Sequence, residues 1–142
     1  MLRNKKGFTL IEMLVVIAII AVLVSIVIPT VVATTDSARA AADAANLRST
    51  LGSLNTIITM HGDLDEQVKS IDVPASLYEK DCVLHVLYTN PGFIEVYYVK
   101  GEAYYSLEYL AYVAENGSDG IEVPGKPSTE GTWYIAGVGK VS

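Results

Sequence analysis

Gly7-Phe8-Thr9-Leu10-Ile11-Glu12-Met13-Leu14-Val15-Val16-Ile17-Ala18-Ile19-Ile20 is the stretch on which the fold turns. A short basic head, Met1-Leu2-Arg3-Asn4-Lys5-Lys6, precedes it, and residues 13 to 28 stay apolar except for Ser25. Taken with residues 8 to 12, the run is long enough to span a bilayer as a helix. One acid, Glu12, stands alone in it. A charge inside a membrane segment costs roughly 2.5 to 3.5 kcal/mol on insertion scales, so it marks a function or a partner. The basic head beside the apolar run follows the positive-inside rule, which keeps residues 1 to 7 cytoplasmic and sends the remainder across. An ordinary secretory signal would carry a small-residue cleavage site after its apolar region, and residues 25 to 35 offer no clear one. A plain membrane anchor accounts for the hydrophobicity but not for Glu12 or for the Gly7-Phe8 junction.

The stretch Lys6-Gly7-Phe8-Thr9-Leu10-Ile11-Glu12 resembles the class III leader junction of type IV pilins and the related pseudopilins. Four features carry the resemblance: a short basic leader, a glycine before the apolar core, a phenylalanine after it, and a glutamate five residues past the cut. The resemblance implies that a membrane prepilin peptidase cuts between Gly7 and Phe8 and methylates the new amine of Phe8. It implies that Glu12 serves filament assembly, paired with the amine of a neighbouring subunit's Phe8. The competing reading of Glu12 is an acid that snorkels to the headgroups. The resemblance also implies a helical homo-oligomer, with an assembly ATPase and a platform protein as partners. Pilins carry a proline at a place similar to Pro29, and a kink or looseness is expected between Val24 and Pro29, because proline removes one backbone hydrogen bond.

The remainder is acidic. Removing residues 1 to 7 takes three of ten basic residues and no acid, leaving seven against sixteen, a balance of −9. Nucleic-acid binding by the head is therefore not expected, because phosphate contacts need Lys and Arg. One cysteine, Cys82, permits no intramolecular disulfide. The chain thereby departs from the C-terminal disulfide loop of many Gram-negative pilins, which suggests a Gram-positive or anaerobic host. Cys82 alternates with Leu84 and Val86 and reads as a small buried hydrophobe, with His85 on the opposite strand face.

The organisation expected is a leader at 1–7, a membrane or filament-core helix at 8–33, and a globular head at 34–142. Within the head, Ala40, Ala44, Leu47, Leu51, Leu54 and Ile58 are spaced four, three, four, three, four, a helical stripe over 34–61. Asp43, Asn46, Thr50 and Ser53 are assigned to the opposite side. The stripe is too short for a coiled coil and is read as packing on a small sheet, and Gly62 is the natural residue to end the helix. A helical turn is anticipated at 63–69. Strands are expected at 82–88, 93–99 and 132–136, in an antiparallel meander over about 82–138. The run 102–114 alternates apolar residues as a strand would, yet Ala103, Leu107, Leu110 and Ala114 also fit a helix. A third strand over at least 102–109 is preferred. The fold class is α+β, one long helix packed on a small antiparallel sheet.

Other candidate sites have plainer readings. Asn116, Asp119 and Glu122 in the late loop invite a calcium site, as in major pseudopilins, but lack full EF-hand spacing and read as an acidic turn. His61 and His85 have no metal-ligand partner at a telling spacing, and most of the nine tyrosines read as packing. No catalytic constellation and no cofactor motif is visible, so the chain is expected to be a substrate and not an enzyme. The resemblance implies a type IV pilin subunit polymerised into a surface filament for adhesion, motility or biofilm; the first alternative is a major pseudopilin of a type II secretion or competence system, and the second, ranked below it, a monomeric membrane-anchored surface protein.

Overall fold

The computed structural model describes residues 7–61, 64–89 and 92–141. The basic head at 1–6, Gly62 and the Asn90-Pro91 turn lie outside the described residues, as does the side chain of His61. The chain divides into two units between Thr35 and Asp36. Helix α1, Leu10–His61, runs through both.

In the first unit the helix is apolar and exposed along its length. It is long and apolar enough to cross a membrane, and none of its most hydrophobic window is buried. Its hydroxyls return to its own carbonyls. Ser25 Oγ donates to Val22 O at 2.7 Å and Thr30 Oγ1 to Val27 O at 2.8 Å; Thr34 and Thr35 donate to Thr30 O and Val31 O. A side chain satisfied in this way adds little cost in an apolar surrounding. The stretch from Val24 to Pro29, where a kink or looseness is expected, is assigned to helix, with Pro29 inside α1. Proline has no N–H to give to the helix at this position.

The second unit is a sheet with helices on one face. Its elements are α2 (Leu64–Ser70), β1 (Val83–Thr89), β2 (Phe93–Lys100), β3 (Ala103–Ser106), α3 (Leu107–Asn116), β4 (Thr132–Ile135) and β5 (Gly139–Lys140). The sheet is antiparallel throughout, in the order β3-β2-β1-β4-β5. The meander expected over 82–138 is therefore corrected. Strands β1 to β3 do form a meander, but β4 returns to the far side of β1, with Val86 opposite Tyr134. The residues of β1 explain this. Leu84 and Val86 on one face and Leu87 on the other are all buried, as a central strand requires.

The helical stripe behaves as its spacing implies. Ala40, Ala44, Leu47 and Leu54 are buried, and Leu51 and Ile58 pack beside them, against Leu84, Val86, Ile94, Val96, Tyr98 and Tyr134 of the sheet. Two residues assigned to the solvent side are instead buried, Asp43 and Thr50. Asp43 is fully buried because it holds the segment before β1. Ser76 Oγ donates to its Oδ2 at 2.5 Å, and the amides of Leu77 and Tyr78 donate to the carboxylate at 2.9 Å. Arg39 pairs with Asp36 at 3.4 Å.

The preferred strand over 102–109 is half right. The backbone is extended only to Ser106, whose Oγ accepts from Tyr109 N at 3.1 Å and caps α3. Beyond that cap the helical pattern wins, because it buries Tyr109, Leu110 and Val113 together. The helix ends on Gly117 at φ 82°, whose N–H returns to Val113 O. The opposite face of the sheet gathers Leu87, Tyr97, Val99, Tyr104 and Trp133 in a second cluster. The stretch 117–131 contributes the cover: Tyr104 N donates to Pro124 O, and the Lys126 ammonium lies 5.3 Å from the Trp133 ring centre. Gly131 lets the backbone pass close, since a Cβ there would come within 2.7 Å of Leu87 Cδ1 and Tyr88 O.

Candidate functional site

The junction begins as non-helical backbone. Gly7 and Phe8 precede α1 and are exposed, Phe8 at 81%. Among the described residues nothing lies within 4 Å of where a side chain of Gly7 would sit, so its backbone is open to approach from that side. An exposed, non-helical peptide bond is one that a protease can take into its cleft.

Thr9 starts the helix. Its Oγ1 accepts from Glu12 N at 3.3 Å, while Glu12 Oε2 accepts from Thr9 N at 2.7 Å and from Thr9 Oγ1 at 2.8 Å. This reciprocal pair is a capping box, Thr9-x-x-Glu12, which satisfies two amides that a helix start leaves without intrahelical partners. The arrangement explains how an apolar helix tolerates an acid in its first turn: the carboxylate faces the positive end of the helix dipole. It also orients the group. Oε2 is engaged by Thr9, while Oε1 has no partner among the described residues and is open to a cation from outside. The Thr-x-x-Glu spacing is a capping signal present in the sequence itself.

The structure brings Gly7, Phe8, Thr9 and Glu12 together at one end of α1; Pro29 lies well along the helix. The late loop gathers no comparable site. Asn116 donates its amide to Tyr112 O at 3.1 Å, and Asp119 and Glu122 are exposed. Among the described residues no three His, Cys, Asp or Glu side chains converge as metal ligands.

Cys82, His85, Tyr98 and Tyr109 of the head are set by packing. Cys82 is half-buried, and burial, then the charge of Glu79, pushes its thiol up. His85 lies on the other face of the sheet, edge-on to Tyr104 and Trp133 at 6.0 and 6.3 Å. Burial, then the charge of Lys126, pushes it down. Tyr98 donates to Pro74 O at 2.8 Å, and burial raises both Tyr98 and Tyr109 to about 12. These phenols stay protonated at any physiological pH, in keeping with a packing role.

Residues 2–28 match the family model described as the prokaryotic N-terminal methylation motif. No curated protein and no solved structure matches the chain. The match covers the basic head, the Gly7-Phe8 junction, Glu12 and the apolar helix as far as Ile28. It fits a membrane-anchored precursor of the pilin or pseudopilin kind, processed by a prepilin peptidase. Joined to an apolar helix and an α+β head, residues 2–28 give this chain the class III signal of type IV pilins and pseudopilins.

Proposed function

We propose that this chain is a type IV pilin subunit, cut after Gly7, methylated on Phe8 and polymerised into a helical surface filament. Apolar helices from neighbouring subunits would form the filament core, and the acidic heads its outer surface. It acts as a structural subunit and as the peptidase's substrate, not as a catalyst. Assembly and retraction would be driven by a cytoplasmic ATPase and a platform protein. The observation that carries this reading is the carboxylate of Glu12, capped by Thr9 on one oxygen and open on the other, one turn from Phe8. Once the bond after Gly7 is cut, each subunit would offer both an amine and an acid at the same helix end. Such a pair between neighbours sets register while apolar faces pack, and pairing offsets the cost of the lone charge in an apolar medium. A pseudopilin carries the same signal and would differ in building a short filament within the envelope.

The test is the N-terminal mass of the protein recovered from cells with an active prepilin peptidase. A chain beginning at Phe8, with or without an added methyl, is expected, together with filaments visible by electron microscopy. A chain still carrying residues 1 to 7 would mean a static anchor and end the filament reading. Processing with only short envelope-confined filaments would move the assignment to pseudopilin.

A further inference from the structure

Both edges of the head's sheet are partly covered. On the β5 side, Asp65 of α2 accepts from Lys140 N, and Gly137 N donates to Val68 O. On the β3 side, Tyr104 N donates outward to Pro124 O. Strand β3, however, pairs only with Tyr97–Lys100 of β2, while Phe93–Val96 pair with β1 alone. Because Tyr104 turns its main chain away from β2, the Val99–Tyr104 pair is the non-hydrogen-bonded kind. Tyr98 and Lys100 then face β3, and by alternation Ile94 and Val96 point their N–H and C=O groups the same way. Among the described residues they meet no strand there. Both residues are nearly buried, at 6% and 4% exposure.

Ile94 and Val96 are among the residues lining a groove of about 640 Å³, within the range of ligand sites. Its α1 wall holds Arg48 and Leu51, and α3 adds Leu107 and Ala111. Glu95, on the other face of the sheet, and Pro124 line the opposite wall. Exposed Phe93, at 73%, marks its mouth. Natural sheets usually blunt such an edge with a charge, a proline or a cover. Here the cover stops one strand short and leaves a slot.

We propose that this slot receives an extended peptide segment of a partner, which adds as a strand along Phe93–Val96. The unpaired groups of Ile94 and Val96 repeat at the spacing of an extended main chain and supply the hydrogen bonds of strand addition. Charge sets the side chains. An acidic residue on the face toward α1 meets Arg48, and a basic residue on the opposite face meets Glu95. Apolar or β-branched residues fill the space between Leu51 and Pro124.

The experiment is an amide-shift titration of the full chain in detergent micelles. The probe is a blocked hexapeptide with valine, lysine and valine at odd positions and threonine, glutamate and threonine at even positions. Saturable shifts are expected at Ile94 and Val96. A peptide with lysine replacing glutamate should bind about tenfold more weakly. Arg48→Glu, on the exposed side of α1, should reverse that preference while leaving Trp133 emission unchanged. Three results would overturn the proposal: no saturable shift at Ile94 and Val96 up to about 5 mM peptide, shifts confined to other residues, or a preference unaltered by Arg48→Glu. None of these outcomes depends on whether the chain polymerises.

Discussion

At the scale of single residues, two carboxylates divide the work of the chain. Glu12 closes a capping box with Thr9 and leaves Oε1 open. Filament yield from Glu12→Ala is expected to fall about tenfold or more, since each 1.4 kcal/mol lost per contact is a factor of about ten. Immunoblots of sheared filaments would measure it, with Trp133 emission confirming an intact head; an undiminished yield would remove Glu12 from assembly. Asp43 works in the head, where it gathers Ser76 Oγ and the amides of Leu77 and Tyr78. Asp43→Ala strands those donors and should cost about 3 kcal/mol in urea unfolding. His85 contributes a pH dependence near neutrality. Its folded pKa is pushed below 6.5 by burial, then by Lys126, so the unfolded chain takes up the proton first as pH falls. Stability from His85 is complete above about pH 6.5 and declines as pH drops from there toward the depressed folded value. In His85→Phe the urea midpoint should change less between pH 7 and 5.5 than in the native chain.

At the scale of elements, the boundary between β3 and α3 shows how one hydroxyl decides between two patterns. Residues 102–114 satisfy both a two-residue and a helical period, and the side chain of Ser106 ends the strand by accepting from Tyr109 N. Ser106→Ala should destabilise the head by about 1 kcal/mol, the usual worth of an N-cap, as read from the thermal midpoint by circular dichroism. An unchanged midpoint would mean that burial of Tyr109, Leu110 and Val113 alone places the helix. The amphipathic half of α1 was legible because its stripe repeats over five intervals. Asp43 was not legible, because an acid beside a stripe looks the same whether it meets water or a distant loop. What buries it is Ser76 to Tyr78, more than thirty residues away.

At the scale of the molecule, the division between Thr35 and Asp36 separates an exposed apolar segment from a unit with its own core. A chain shortened to begin at Thr34 should be soluble and monomeric, because the polymerising surface is gone while the core from Ala40 onward remains. Size-exclusion chromatography with light scattering checks this, and filaments from that chain would refute it.

The sequence by itself determined the class III junction, the membrane-length helix, the stripe that packs on a sheet, and the α+β class. Each rests on a local period or on a motif of a few adjacent residues, and such signals survive without knowledge of the fold. Only the tertiary structure decided that β4 crosses to the far side of β1, that Asp43 is interior, and that the edge of β2 at Phe93–Val96 stands open. Those outcomes depend on which distant segments meet. Strand order is set by burial on both faces of β1, and an edge is open or closed according to where a loop some thirty residues onward comes to rest.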